Sequence, residues 1–125
     1  MRMLKVFLAD DETIIREMLR DNMPWEQEGF MVVGEAPDGE LALPMIRKLR
    51  PDVLITDIKM PFMDGLALAK LAVKEFPDMK IVIISGYEEF DYARQAIAIG
   101  VTEYLLKPVT RAKLIEVLRE LQGKI

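Results

Sequence analysis

Short apolar runs alternate with longer amphipathic segments along this chain of 125 residues. The apolar runs are Leu4–Ala9, Phe30–Val33, Val53–Ile55 within the predicted strand Asp52–Thr56, Ile81–Ile84 and Tyr104–Leu106. Because they are continuously apolar rather than alternating, they are typical of strands that are covered on both faces of a parallel sheet. Since five amphipathic segments follow these runs in turn, the order predicts an α/β fold with an open, doubly wound parallel sheet.

The ends of the predicted helices are marked by turn residues and caps. The predicted helices are one from about Ile14 to before Pro24, one starting at Asp38, and three at Leu66–Phe76, Glu88–Ile99 and Thr110–Leu121. Gly100 is placed to end the fourth helix, and Thr110 to cap the fifth. Pro44 is the misfit, because several residues into its helix it either removes a hydrogen bond or indicates a later start.

The chain contains no histidine and no cysteine, and its formal net charge is -4. Disulfides, thiolate nucleophiles, Cys/His zinc sites and Ser-His-Asp triads are therefore excluded. The remaining reactive groups are carboxylates, hydroxyls and lysines, and carboxylate oxygens favour hard cations such as magnesium or calcium. The acidic balance gives no electrostatic footprint for nucleic acid.

Residues 1–125 are predicted to form one domain, because this length supports a single core. No apolar run approaches the roughly 20 residues that span a bilayer. The start of the chain, Met1–Lys5, lacks the apolar region of a signal peptide. We therefore expect a cytoplasmic protein.

Polar residues follow four of the predicted strands where each strand ends. Asp10 and Asp11 follow the first strand, Asp57 the third, Ser85 the fourth and Lys107 the fifth. Each has a simpler interpretation alone: a helix cap or loop start for the aspartates, a turn for the serine, a solvated side chain for the lysine. In doubly wound sheets, however, these ends meet at the ligand-binding edge.

Clustered carboxylates repel one another unless a cation compensates them, and magnesium commonly binds one or two carboxylates together with a phosphate. A lysine can neutralise a phosphoryl group, and a serine hydroxyl can donate a hydrogen bond to it. Since aspartate is a covalent nucleophile in phosphoryl transfer, the set of residues predicts a phosphoryl acceptor.

The sequence resembles the receiver domains of two-component response regulators, whose fold is flavodoxin-like with strand order 2-1-3-4-5. The resemblance covers nearly the whole chain, and four segments carry it: Ala9-Asp10-Asp11-Glu12, Asp57–Gly65, Ser85-Gly86 and Lys107-Pro108. It implies a phosphoacceptor signalling domain rather than an enzyme, with a histidine kinase as the donor.

By position, the resemblance implies that Asp57 is phosphorylated and also ligates Mg²⁺. Asp11 would ligate the metal directly, Asp10 often through water, and Lys59 through its backbone carbonyl. Ser85 would hold the phosphoryl group, and Lys107 would neutralise it. The Lys107–Pro108 peptide bond is expected to be cis.

The resemblance also implies a switch, in which Ser85 moves towards the phosphate and Tyr104 turns inward. Taken alone, Tyr104 is better interpreted as a half-buried strand residue with its hydroxyl in water. The face of the fourth helix, fifth strand and fifth helix would then signal or form a homodimer. Its candidate contacts are Arg94, Gln95, Lys113 and Glu116.

Pro24-Trp25-Glu26, Gly29-Phe30 and Ser85–Ala93 resemble receivers that precede AraC-type helix-turn-helix domains. We therefore expect a receiver excised from a longer transcription factor, with a stand-alone regulator as the alternative. DNA would be bound only through an output domain outside this chain. Phe62, where many receivers have a small residue, either shields the acyl phosphate or restricts access to it.

Three other classes of protein are weighed against this one. A haloacid-dehalogenase-type phosphohydrolase needs a second aspartate two residues after the nucleophile, where this chain has Lys59. A flavodoxin-like cofactor binder needs a hydroxyl-rich phosphate loop, and Asp10-Asp11-Glu12 would repel the phosphate. A pseudo-receiver that binds partners without phosphorylation is disfavoured by the complete acidic set.

Overall fold

The fold is given by a computed structural model that describes residues 3–86 and 90–125, with Phe90 described through its backbone only. Strands and helices alternate along these residues. The strands are β1 (Leu4–Ala9), β2 (Phe30–Ala36), β3 (Val53–Thr56), β4 (Lys80–Ser85) and β5 (Glu103–Leu106). The helices are α1 (Thr13–Asn22), α2 (Gly39–Leu49), α3 (Gly65–Glu75), α4 (Phe90–Ile99) and α5 (Arg111–Lys124).

The strands form one parallel sheet with the order β2-β1-β3-β4-β5, so the predicted fold class and strand order are confirmed. Buried side chains of α2, α3 and α4 pack in one core cluster, and those of α5 pack with Trp25 in the other. All four residues of β3 are buried, as is every residue of β4 after Lys80. The continuous apolar runs therefore belong to strands covered on both faces.

β2 extends three residues beyond its predicted end. Val6 pairs with Val32 and Phe7 with Gly34, so Val33 is an extra residue at an irregularity in the ladder. Gly34 is required there, because an added Cβ would lie 2.8 Å from the Phe7 ring. Since β2 is an edge strand, it also tolerates the polar Glu35, which hid the strand end in the sequence.

α2 begins at Gly39, so the later start considered for Pro44 is wrong. The Asp38 side chain caps the helix by accepting a hydrogen bond of 2.8 Å from the Leu41 amide, and this cap defines the first turn. Pro44 lies inside the helix, where it leaves the carbonyl of Glu40 without its helical donor. Both residues are exposed, so water can bond that carbonyl and the helix continues.

The observed ends of α4 and α5 can be compared with the predicted ends. Gly100 follows α4 with φ +96°, as a terminating glycine requires, and the Thr110 hydroxyl caps α5. α5 runs three residues past its predicted end at Leu121. The predicted start of the fourth helix at Glu88, and the Tyr87–Glu89 part of the AraC-type motif, lie outside the described residues. Within residues 3–86 and 90–125, every helix is too short or too polar to cross a lipid bilayer.

α1 is the least buried of these helices. Each of its ten residues is described, and none is buried, whereas α5 buries four leucine and valine residues. Ile14 and Met18 are largely exposed on it. At its other end, the Trp25 indole donates to the carbonyls of Leu19 and Arg20, at 3.0 and 3.1 Å. Trp25 therefore anchors the last turn of α1 to the core.

Candidate functional site: a carboxylate cluster closed by a lysine

The predicted polar residues lie at the carboxyl ends of the strands. β1 and β3 are neighbours, and the Asp57 amide donates to the Ala9 carbonyl at 2.9 Å. Asp10, directly after Ala9, is therefore brought beside Asp57. Both aspartates are buried. The interpretation of Asp10 or Asp11 as the N-cap of α1 is wrong, because another residue takes that position. The N-cap of α1 is instead Glu12, which makes no side-chain capping bond among the described residues.

Lys107 joins this pair from the end of β5. Its Nζ lies 3.1 Å from Asp10 Oδ2, from Asp57 Oδ2 and from Glu12 Oε1. Its side chain is only 14% exposed, so it is not a solvated lysine. The Lys107–Pro108 peptide bond that follows is cis.

Four carboxylates can face a common point at this edge. Oxygens of Asp10, Asp11, Glu12 and Asp57 lie within 4.8 Å of one another. All four are hard oxygen donors, which is the donor set that magnesium prefers. Glu12 is the member that sequence reasoning missed as a site residue, although it belongs to the motif that carries the resemblance. Its position directly before α1, next to the two aspartates, is the sequence signal that could have identified it.

Burial and charge perturb the acid-base properties of the site. Burial raises the pKa of Asp57, the neighbouring Asp10 carboxylate raises it further, and Lys107 only partly opposes the shift. Burial alone would lower the pKa of Lys107, but hydrogen bonding to Glu12 and the charges of Asp10 and Asp57 raise it well above its ordinary value. Lys107 is therefore a fixed positive charge at neutral pH, in a site that retains an excess of negative charge.

A cavity of about 390 Å³ opens over the cluster. It is lined by Asp11, Glu12, Asp57, Lys59, Gly86 and Lys107. Asp10 lies behind this lining and contacts the site through Lys107. The cavity has room for a phosphoryl group, and its lining combines three carboxylate residues with two lysines.

Ser85 and Tyr104 are further from the cavity. Ser85, the last residue of β4, is fully buried and does not line the cavity, although the neighbouring Gly86 does. Tyr104 packs against the core of α2, α3 and α4, and its hydroxyl is buried without a hydrogen-bond partner among the described residues. The interpretation of Tyr104 with its hydroxyl in water is therefore wrong.

The loop after β3 carries Lys59 and Phe62. Lys59 is exposed, and its Nζ lies 5.8 Å from the centroid of the Tyr92 ring on α4. Phe62 is 85% exposed and has φ +66°, a left-handed conformation that is uncommon for a bulky residue. A ring this exposed projects into solvent.

Comparison with known proteins agrees with this geometry. Residues 6–119 match the model of the response regulator receiver domain family. Since the match covers most of the chain, the chain belongs to that family, and it is a signalling phosphoacceptor module rather than an enzyme. Receiver domains imply a cognate histidine kinase.

Individual relatives indicate which response regulators the chain is similar to. The chain is 40% identical to a transcriptional regulatory protein of Bacillus subtilis, YesN, over 98% of this chain and 33% of YesN. It is 40% identical to the transcriptional regulatory protein HptR of Staphylococcus aureus, over 95% of this chain and 46% of HptR. It thus spans less than half the length of these curated relatives. The receiver domain of AraT, a response regulator of Geobacillus stearothermophilus, superposes with a TM-score of 0.91 at 45% identity, covering 98% of this chain and 95% of that one.

Proposed function

We propose that residues 1–125 form a receiver whose Asp57 accepts a phosphoryl group from the phosphohistidine of a histidine kinase. The observation that carries this proposal is the contact of Lys107 Nζ with both Asp57 Oδ2 and Asp10 Oδ2, at 3.1 Å each. A purely structural ion pair would match one cation to one anion, whereas this site leaves carboxylates in excess beside an open cavity.

The transfer needs a nucleophile and charge neutralisation. An Asp57 carboxylate oxygen attacks the phosphorus, the phosphorus–nitrogen bond of phosphohistidine breaks, and the imidazole nitrogen retains the bonding electron pair. Lys107 is already beside that oxygen and balances the charge of the phosphoryl group. Mg²⁺, bound by Asp57, Asp11 and the carbonyl of Lys59, with Asp10 acting through water, would supply further neutralisation of the phosphoryl oxygens.

Ser85 and Tyr104 would then change conformation in response to phosphorylation. Ser85 is buried next to Gly86, which lines the cavity, and a movement towards Asp57 would bring its hydroxyl to a phosphoryl group there. Tyr104 on β5 pairs with Ile83 on β4, two residues before Ser85. Its ring points inward, and its buried hydroxyl has no hydrogen-bond partner among the described residues. Both features are expected of a ring that can exchange between two environments. Movement at Ser85 would thereby change the α4–β5–α5 face.

The partners follow from this face and from the relatives. Exposed apolar Ile97 and Leu106 accompany exposed Arg94, Lys113 and Glu116 on α4, β5 and α5, and they would support a homodimer. Because YesN and HptR are named transcriptional regulators, we propose that the receiver controls an AraC-type DNA-binding output domain. The reaction takes place in the cytoplasm, where ATP charges the kinase.

The proposal is tested by incubating the chain with Mg²⁺ and acetyl phosphate and measuring intact mass. We expect one phosphoryl adduct on the wild type and none on Asp57→Asn. Asp78→Asn, which removes an exposed carboxylate after α3, is the matched control and should retain the adduct. A wild type without an adduct, or an equal adduct on Asp57→Asn, would reject the acceptor and favour the pseudo-receiver.

A further inference from the structure

Every polar group of Asp10 has a hydrogen-bond partner. Its amide donates to the Ala36 carbonyl at 3.1 Å, its Oδ1 accepts from the Glu12 amide at 2.9 Å, and its Oδ2 accepts from Lys107. The remaining group, the backbone carbonyl, accepts from Arg16 Nη1. Three of these partners belong to the sheet or to the site, and the fourth comes from α1.

Arg16 is held in place by a second contact. Its Nε lies 3.1 Å from Glu35 Oε1 on β2, and its side chain is only 13% exposed. The guanidinium thus lies between the Asp10 carbonyl and the Glu35 carboxylate. Arg20, one turn further along α1, binds the other oxygen of Glu35 at 2.9 Å and also pairs with Asp21, but among the described residues it has no hydrogen bond to the acidic turn. Arg16 and Arg20 therefore share one carboxylate and differ in their contact with Asp10.

The acidic turn needs such a support. Asp10, Asp11 and Glu12 connect β1 to α1, and α1 buries none of its ten described residues. Packing of α1 alone therefore holds the turn weakly, while the carboxylates on it repel one another. Arg16 restrains the turn from the carbonyl side and places a positive charge close to it.

We propose that Arg16 is a positioning residue for the cation site: by holding the Asp10 carbonyl against Glu35, it keeps the acidic turn in the arrangement that binds a divalent cation. This inference rests on the metal site of the proposed function. Groups that orient metal ligands typically contribute 10-fold to 100-fold in metal affinity. Arg16 acts through Asp10, and the metal is bound by the carboxylates.

The test is the affinity of the metal-free full chain for Mn²⁺, measured by electron paramagnetic resonance, with Mg²⁺ affinity obtained by competition. We expect Arg16→Met to weaken binding by about 10-fold or more, because the turn loses its restraint. The matched control is Arg20→Met, which also removes an arginine from Glu35 and should stay within about twofold of the wild type. Circular dichroism checks that both variants retain their helices.

A second variant keeps the test informative if Arg16→Met fails to fold. Glu35→Gln leaves Arg16 in the chain but removes the charge that orients it, and should weaken Mn²⁺ binding by a smaller factor. Wild-type affinity in Arg16→Met, or an equal loss in Arg20→Met, overturns the inference. A wild type that binds no Mn²⁺ overturns the metal site and the inference with it. A wild type that binds Mn²⁺ but gains no phosphoryl adduct rejects only the acceptor function.

Discussion

The two ends of the sheet hold their charges differently. At the carboxyl ends of the strands, one partly buried lysine faces three carboxylates, and Asp57 has a raised pKa. At the opposite end, Arg119 forms two hydrogen bonds with Glu28, at 2.8 and 3.2 Å, and the pKa of Glu28 is lowered by its hydrogen bond with Arg119. The first end carries more negative than positive charge. The second is a balanced ion pair that joins α5 to the loop before β2.

This difference separates a binding site from a structural contact. Excess negative charge in a buried site destabilises the empty protein and favours a cation or a phosphoryl group with its metal. A matched pair leaves no charge for a ligand to compensate. Changes at the two ends should therefore affect stability in opposite directions, and ligand binding only at the first.

The largest effect is expected from Lys107→Met. Without the ammonium, the carboxylates lose their compensating charge and the incoming phosphoryl group its neutralisation, so phosphorylation by acetyl phosphate should slow by about 100-fold. The initial rate of adduct formation measures this. Lys113→Met, an exposed lysine on α5, should react at the wild-type rate. A Lys107→Met rate within threefold of the wild type would contradict the role of Lys107.

Magnesium should stabilise the carboxyl end selectively. Added at about ten times its dissociation constant, Mg²⁺ should raise the free energy of unfolding by roughly 1.4 kcal/mol, and chelation should reverse the gain. Thermal denaturation with and without Mg²⁺ measures it. The shift should disappear in Asp11→Asn and persist in Arg119→Met, and equal shifts in both variants would show that the metal binds elsewhere.

Asp57→Asn should stabilise the metal-free protein at neutral pH, because it removes a buried carboxylate that the neighbouring Asp10 repels. Because the folded pKa of Asp57 is raised, stability is lost as pH rises from the ordinary carboxyl range through the folded value. The gain in Asp57→Asn should therefore vanish at pH values below the ordinary carboxyl pKa. Urea denaturation at several pH values checks both statements, and a destabilised Asp57→Asn at neutral pH would contradict them.

The smallest effect is expected at the opposite end. Arg119→Met should lower the free energy of unfolding only slightly, since a largely exposed ion pair contributes little. Its phosphorylation and Mn²⁺ affinity should match the wild type. The result that would undermine the comparison is a loss of metal affinity in Arg119→Met.

Sequence patterns predicted the sheet well because buried strands need apolar residues at successive positions. The site was also predictable where a residue directly follows a strand, as for Asp10, Asp57 and Lys107, since strand ends converge in a parallel sheet. Glu12 and Arg16 were missed because their roles depend on how α1 turns away from β1. That geometry involves residues distant in sequence, such as Glu35 and Lys107.

The less predictable boundaries lie where local signals are weak or conflicting. The end of β2 was hidden by Gly34 and Glu35, which an edge strand accepts. The inward position of Tyr104 could not be read from the sequence, because a half-apolar ring suits either face of a strand. In both cases tertiary packing outweighs intrinsic preference.

Trp25 gives the chain a built-in optical reporter. It is the only tryptophan, it is 6% exposed, and its indole bonds the last carbonyls of α1. Its emission should therefore follow the detachment of α1 from the core, while staying insensitive to substitutions on α5 that leave this anchor intact. Tryptophan fluorescence and circular dichroism can therefore be compared during unfolding. An earlier change in fluorescence would show that α1, the helix that carries Arg16, detaches from the core before the rest of the domain unfolds.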